Sequence, residues 1–416
     1  MKSLSLSIKE FKQAKMNLII INQYFYPDVS ATGQLLTDLA EDLSAKGIKV
    51  SVLTSQNSYL GGKKYPLYEV YKGIKIYRAR SLSLGKSKAI FRIIDFLFFY
   101  LFSFINSLRI SNIDVVMCLS VPPLASVLAL AISVIKRAKI INKVEDLYPD
   151  AAVELGLLNR DSLIYKFLNR ISLFSLSKSS CIIVLGEFMK KRLLEKGIDV
   201  PIHIIDSWAD QSEIYPIEKE KTGFYNEWNL AGNFIIHYSG NMGLNHSFDT
   251  ILETASKLNN HNEIKFIFVG DGVRRIEIEK YILKNKLNNV IIKDYVAREY
   301  LNDNLNCSDV SVITLRKDSA GIVVPSKLYG IMAAGKSIIF VGPQECEIAY
   351  IIKQHQIGYI IDDGDTESFI NAVMELKNSP ELRIKLGNRA RSVFLEFYER
   401  KISTEKHYSI LKDLVI

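Results

Sequence analysis

The segment Ser319–Lys336 holds the densest set of residues able to handle an anion: Ala320-Gly321-Ile322-Val323-Val324-Pro325-Ser326-Lys327-Leu328-Tyr329-Gly330. Pro325 and Ser326 are placed to open a helix whose first turn carries Lys327. An ammonium beside the free N–H groups of a helix start is a binding point for phosphate. The plain alternative is a solvated lysine on a first turn. Three further segments leave an apolar strand through glycine or small residues. One runs Tyr24-Phe25-Tyr26-Pro27-Asp28 into Ser30-Ala31-Thr32-Gly33; the others are Tyr238-Ser239-Gly240-Asn241-Met242-Gly243 and Val269-Gly270-Asp271-Gly272. Each alone is ordinary turn chemistry. Together they point to a nucleotide diphosphate held in a cleft.

Two acidic pairs need separate readings. Glu145-Asp146 stands just past the strand Ile140–Lys143, before Tyr148-Pro149-Asp150. A carboxylate there would orient or deprotonate an acceptor hydroxyl, although most carboxylates in surface loops only face water. Asp363-Gly364-Asp365 has DxD metal-motif spacing, but Asp365 precedes Thr366-Glu367-Ser368 and an apolar-periodic helix. It reads as a helix N-cap. The six histidines form no HxxxH or HExxH pair, and Cys118, Cys181, Cys307 and Cys346 show no CxxC spacing. No metal is expected, and the cysteines read as buried free thiols.

These residues must be positioned by an alternation of strands and helices. Leu18–Ile21, the helix Thr32–Lys46 and Val50–Leu53 form a strand–helix–strand unit, which folds as a right-handed parallel crossover. The rhythm recurs at Val115–Ser120, Ile140–Lys143 and Ile182–Leu185. It restarts after Asp206-Ser207-Trp208 with Phe234–Tyr238, Lys265–Val269, Val290–Ile292, Val310–Thr314, Ser337–Val341 and Gly358–Ile361. The expected architecture is α/β: two doubly wound parallel-sheet domains facing a ligand cleft. Residues 1–208 make the first domain and 209–394 the second, with Asp210–Leu230 as linker and a C-terminal helix, 395–416, packing back on the first.

The length of 416 residues fits two domains at roughly 150 residues each. The net charge of +8 is unevenly split: residues 1–200 carry +12 and residues 201–416 carry −4. An evenly basic nucleic-acid binder is excluded, and the first half is suited to an anionic surface. Lys2, Lys9, Glu10 and Lys12 interrupt any apolar core near the start, so no signal peptide is expected and a cytoplasmic location is. Residues 1–15 precede the first strand, either as a short amphipathic arm or because Met16 is the native start. Val115–Ile135 is uncharged for 21 residues, but Pro122-Pro123 splits it into a strand and a helix. Phe91–Phe104 holds seven aromatics flanked by Lys86, Lys88, Arg92 and Arg109. It fits an interface-lying helix on anionic lipid, with Phe98, Phe99 and Phe102 facing the acyl boundary, or else an ordinary core helix.

The order YSGNMG, VGDG and VPSKLYGIMAAGK resembles the retaining glycosyltransferases of family 4, which have the two-domain GT-B fold. NQYFYPDVSATGQLLTDLAEDLSAKGIKVSVLTS, EDLYPD and IIVLGEFMKKRL are similar to the O-antigen and colanic-acid branch, nearest to WbuB-like L-fucosamine transferases. The resemblance runs from Met16 nearly to the C-terminus. It implies donor contacts at Gly33, Gly240, Asn241, Gly270, Asp271, Gly272, Pro325, Ser326, Lys327 and Leu328, and acceptor contacts at Tyr26, Asp28, Glu145 and Asp146. Lys327 and Asp146 would carry the chemistry. The Glu-x7-Glu pair of many members falls on Ile322 and Gly330, so both carboxylates are missing. The usual Arg is Asn241, and the usual Lys lies near Asn245-His246. Lys327 remains as the phosphate counter-charge, with Arg316 as a candidate helper.

The implied activity is metal-independent, retaining transfer of a sugar, N-acetyl-L-fucosamine, from a UDP-sugar. The implied acceptor is an undecaprenyl-diphosphate-linked saccharide in O-antigen or capsule synthesis, and the implied place is the inner face of the cytoplasmic membrane. Two alternatives stand beside it. A UDP-sugar 2-epimerase of the same architecture would turn over its substrate without an acceptor, and a non-catalytic membrane-bound assembly partner would bind UDP-sugar weakly or not at all.

Overall fold

The inner strands of the first sheet are built on apolar, β-branched runs such as Leu18–Ile21, and most of them lead directly into a helix that covers the sheet. The computed structural model of the protein describes residues 16–59, 61–81 and 89–415. The arm at residues 1–15, the choice between Met1 and Met16, and the flanking Lys86 and Lys88 lie outside the described residues. In chain order the first unit is β1 (Asn17–Ile21), α1 (Ala31–Ala45), β2 (Lys49–Ser55), β3 (Tyr68–Tyr71), β4 (Ile74–Ala79), α2 (Ala89–Leu108) and β5 (Val115–Leu119). It continues with α3 (Ala125–Lys136), β6 (Lys139–Val144), α4 (Asp150–Glu154), α5 (Leu163–Ser177), β7 (Cys181–Val184), α6 (Glu187–Glu195) and β8 (Ile202–Ile204). The eight strands run in the order β3-β4-β2-β1-β5-β6-β7-β8, all neighbours parallel except the β3–β4 pair.

The second unit starts with α7 (Gly223–Glu227), β9 (Phe234–Ser239), α8 (Asp249–Lys257), β10 (Ile264–Val269), α9 (Arg275–Asn285), β11 (Val290–Lys293), α10 (Leu301–Asn306) and β12 (Val310–Thr314). Then come α11 (Lys327–Ala333), β13 (Ser337–Val341), α12 (Glu347–His355), β14 (Gly358–Ile361), α13 (Thr366–Asn378), α14 (Pro380–Val393) and α15 (Arg400–Val415). Its six-stranded sheet has the order β11-β10-β9-β12-β13-β14. The chain order reverses at β9, whose neighbours are β10 and β12. That switch point opens a crevice beyond the strands' carboxyl ends. The sheet interiors are near-continuous apolar runs because helices cover both faces. The expected linker, Asp210–Leu230, is packed rather than free: Thr222, Tyr225 and Leu230 are buried and Phe224 stacks on Trp228 at 4.5 Å.

Val115–Ile135 folds as strand β5 and helix α3, with the two prolines in the turn between them. All four cysteines are buried free thiols. Helix α2 combines the two readings open to it. Phe99, Ser103 and Ser107, spaced four apart, are buried toward the sheet, while Ile93, Leu97, Leu101 and Ile105 form an exposed apolar row on another face. Phe99 therefore belongs to the core, and Phe98 and Phe102 are only half exposed. The outward side chains are aliphatic, a correction to the expected aromatic lipid face. A spacing of four carries both rows along the same helix, so composition alone could not separate them.

Helix α15 returns to the first unit. Leu411 joins the core around β1, and the Arg400 guanidinium meets Asp42 at 2.7 Å, Asp210 at 3.2 Å and Asp38 at 3.3 Å. Asp38 also takes Arg298 of the second unit at 3.0 Å. Arg400→Ala leaves Asp38, Glu41, Asp42 and Asp210 without their shared cation, so it is expected to cost about 3–5 kcal/mol of unfolding free energy. Urea titration followed by circular dichroism measures it, and a loss under about 1 kcal/mol would mean the cluster is only surface decoration.

Candidate active site

Glycine lets the ends of β9 and β10 cross within van der Waals contact. Gly270 has φ +134, and a Cβ there would lie 2.2 Å from the Gly240 carbonyl oxygen. Gly240 has φ +129, and a Cβ there would lie 2.5 Å from Lys327 Cε. Only a residue without a side chain fits either place. The Lys327 stem thus lies along Gly240. Its ammonium sits 5.1 Å above the Tyr238 ring and donates to His246 Nε2 at 3.1 Å. His246 Nδ1 in turn donates to the Thr314 carbonyl at 2.7 Å, which fixes the tautomer that leaves Nε2 as acceptor.

Burial, and next the Lys327 charge, hold His246 well below its ordinary range, so it stays neutral. Burial likewise pulls the Lys327 ammonium down to about 7. A cation that has given up water without an anionic partner is primed for an incoming phosphate. Around it, Asn241 is exposed, and its carbonyl takes the Tyr238 hydroxyl at 2.7 Å. Asp271 Oδ1 accepts the Gly272 N–H at 2.8 Å. Pro325 is buried, Ser326 half-buried, and Leu328 packs wholly into the core, so its side chain faces no ligand. The Arg316 N–H is tied to the Asn245 carbonyl at 2.8 Å, while its guanidinium lies 3.7 Å from Asp318.

The first unit faces this niche with its own strand ends. Asp146 forms an antiparallel bridge with Val323, and the Leu147 N–H donates to the Ile322 carbonyl at 3.2 Å. Asp146 and the donor-side loop are therefore adjacent. Burial first, and the Glu145 charge second, push the Asp146 carboxyl up to about 7. Ser120 Oγ accepts both the Glu145 and Asp146 N–H groups, at 3.0 and 2.9 Å, holding the loop. Glu145 is buried and ion-paired with the Lys143 ammonium. Gly33 sits at the start of α1, whose Ser30 cap accepts the Gly33 N–H at 3.3 Å.

Two residues read as acceptor contacts have other work in the structure. Both Asp28 oxygens accept backbone N–H groups, Ser30 at 2.9 Å and Tyr59 at 2.6 Å, so the carboxylate braces its own loop. The Tyr26 ring stacks on Tyr71 at 3.6 Å. In the DxD-like pair, Asp363 accepts from Ser247 at 3.0 Å and Thr250 at 2.9 Å, and Asp365 caps α13 through the Ser368 N–H at 3.0 Å. Among the described residues no cluster of three His, Cys, Asp or Glu side chains is placed to hold a metal.

The sequence reading passed over His246 as a site residue, treating its neighbourhood only as the place of a missing lysine. The signal was a histidine three residues beyond the glycine turn. It also passed over Glu347, whose Oε1 accepts the Met189 N–H at 2.9 Å and so caps α6 from across the cleft. Ile322, where a donor-binding glutamate would stand, is fully buried in a core shared by both units.

The family described as Glycosyl transferases group 1 matches residues 224–393. The chain is 30% identical over 274 residues to a Pseudomonas aeruginosa protein named "Probable glycosyltransferase WbjE", covering 65% of this chain and 68% of that one. It is 20% identical over 408 residues to WcaI of Escherichia coli K12, a glycosyl transferase named for colanic acid biosynthesis, covering 94% and 97%. Among solved structures, Anabaena HepE in complex with UDP and glucose superposes with a TM-score of 0.74 at 11% identity, over 96% of this chain and 100% of that one. The two parallel-sheet units thus form a GT-B fold.

Proposed function

This chain belongs to the group 1 glycosyl transferases, and from that premise we propose that it moves a sugar from a UDP-sugar to an undecaprenyl-diphosphate-linked saccharide. We infer N-acetyl-L-fucosamine as the sugar, O-antigen or capsule synthesis as the setting, and the inner face of the cytoplasmic membrane as the place. One observation carries the reading: an ammonium desolvated between Tyr238, Gly240 and His246, beside a loop whose Val323 is bridged to Asp146. A diphosphate leaving group needs the first, and an acceptor hydroxyl uses the second. HepE, solved with UDP and glucose, supports a uridine donor, and WcaI supports a polysaccharide setting.

In this reading the bond from the sugar's anomeric carbon to the diphosphate breaks while the acceptor oxygen bonds to the same face of that carbon, so configuration is retained. Charge grows on the departing phosphate oxygen and Lys327 meets it. The acceptor proton passes to the Asp146 carboxylate. No metal takes part, because Lys327 supplies the counter-charge and Asp363 and Asp365 are committed to Ser247, Thr250 and Ser368.

The test is incubation with a panel of UDP-sugars and a lipid-linked N-acetylglucosamine acceptor, read by mass spectrometry with and without EDTA. One added sugar mass on the acceptor, unchanged by EDTA, is the expected result. Donor conversion without acceptor would replace the reading with an epimerase, and absence of UDP binding with an assembly partner. Loss of activity in EDTA restored by Mg2+ would overturn the metal-free mechanism.

A further inference from the structure

The face of the first sheet that carries α2 is covered by a layer of three helices, in which α3 packs against both α2 and α5. Ser126 of α3 and Ser175 of α5 are hydrogen-bonded at 2.6 Å, and Phe99, Leu128 and Ile132 seal the layer onto β1 and β5. The outer side of such a layer faces solvent and is ordinarily polar. Here it is not. Exposed apolar side chains also stand on α3, at Val127 and Val134, and on α5, at Leu163, Phe167 and Phe174. Leu97, Val134 and Phe167, one from each helix, are 60%, 69% and 65% exposed. Three neighbouring helices that each expose large apolar side chains in place of polar ones mark an interaction site.

Charge identifies the occupant. The three helices carry Arg92, Lys136, Lys166 and Arg170 but one acidic residue, Asp95; Arg109, Arg137 and Lys178 directly follow their last turns. An apolar face with cations interleaved and at its ends matches an anionic bilayer surface, where side chains enter the acyl boundary and cations meet headgroups. A second copy docking through the same face would bring like charges together.

The face is also joined to the site. Helices α2 and α3 follow β4 and β5 out of the sheet edge where Asp146 lies, and α5 meets that edge with its second half, where the Ser172 hydroxyl donates to the Tyr148 carbonyl at 3.0 Å. Ser120, just before α3, holds the Asp146 N–H, and the Tyr165 hydroxyl in the first turn of α5 donates to Asp150 at 3.2 Å.

We propose that the combined outer face of α2, α3 and α5 is a docking surface for an anionic lipid bilayer, which sets the cleft edge against the membrane. Resting on the reading of a lipid-linked acceptor, the arrangement lets the lipid stay in the bilayer while its saccharide reaches Asp146. The experiment compares Leu97→Asp, Val134→Asp and Phe167→Asp singly in co-sedimentation with phosphatidylglycerol–phosphatidylcholine vesicles. Each is expected to weaken binding by about tenfold or more, with wild-type binding poor on pure phosphatidylcholine and falling with salt. Thermal melts and UDP binding should not change, because these side chains support no core and lie outside the niche.

Three results would overturn the proposal. They are a wild type that does not bind the anionic vesicles, a loss confined to Leu97→Asp, and a wild-type dimer that the variants convert to monomer. UDP binding, measured without lipid, reports separately on the glycosyltransferase reading.

Discussion

Lys327→Ala is expected to cut turnover by about two to three powers of ten, the loss seen when one preorganised group that stabilises transition-state charge is removed. The size follows from how the neighbouring groups are committed, the Arg274 guanidinium among them, which donates to the His246 carbonyl at 2.8 Å and to Glu277 at 2.9 Å. His246 is neutral, the Arg316 guanidinium lies nearest Asp318, and the position of the usual arginine is Asn241. The fold should not suffer. A desolvated ammonium hydrogen-bonded only to a neutral imidazole costs stability, so its removal leaves the melting temperature unchanged or higher.

Lys327→Arg should recover part of the rate, since the charge returns but the larger head must shift against Gly240 and Tyr238. Single-turnover rates at saturating donor, with circular dichroism as control, decide it. A folded alanine variant keeping more than about half the activity would remove Lys327 from the mechanism.

Asp146→Asn is expected to lower the rate by about two to four powers of ten, the range for loss of a positioned general base. The pH profile gives the sharper result. The Asp146 carboxyl, raised to about 7, must be ionised to take a proton, so activity rises as pH passes upward through that value. The Lys327 ammonium, lowered to about 7, must be charged, so kcat/KM falls as pH passes above it. The free enzyme should therefore show a narrow bell centred near neutrality. Lys327→Arg should abolish its alkaline limb, because a guanidinium does not titrate there. Residual activity of Asp146→Asn should have no acid limb from this group.

Stability moves the opposite way from activity on the acid side. Asp146 binds its proton more tightly folded than unfolded, so stability is present at low pH and declines as pH rises from about 4 to about 7. Asn removes that slope. An unchanged bell in both variants would exclude the pair.

Much of the architecture could be read directly from the chain because it is written within short segments. Apolar β-branched runs such as Leu18–Ile21 and Ser337–Val341 can only be strands buried on both faces, and each is followed by a helical period. Two doubly wound sheets result. The β3–β4 pair and β8 escaped that reading. β3 and β8 are edge strands with one side open to solvent, and their residues alternate or mix in polarity instead of forming a run. The helix cap at Asp365 was legible because a cap and its N–H partner are three residues apart, whereas the cap at Ser30 was not read. Glycine strand ends and Lys327 were legible as residue types suited to phosphate.

What those residues touch was decided by the tertiary structure. His246 and Lys327 are 81 residues apart, Asp146 and Val323 are 177 apart, and Met189 and Glu347 are 158 apart. No local pattern encodes such partners, because they meet only when helices seat on sheets and the two sheets close on a shared core. The same packing turned Asp28 inward as a brace, spent Glu145 on Lys143, and divided α2 between a core row and an outward row. The sequence by itself determined which residues were chemically able to act. Desolvation and distance, which exist only in the folded chain, determined that Lys327 and Asp146 titrate near neutrality on facing sides of one cleft.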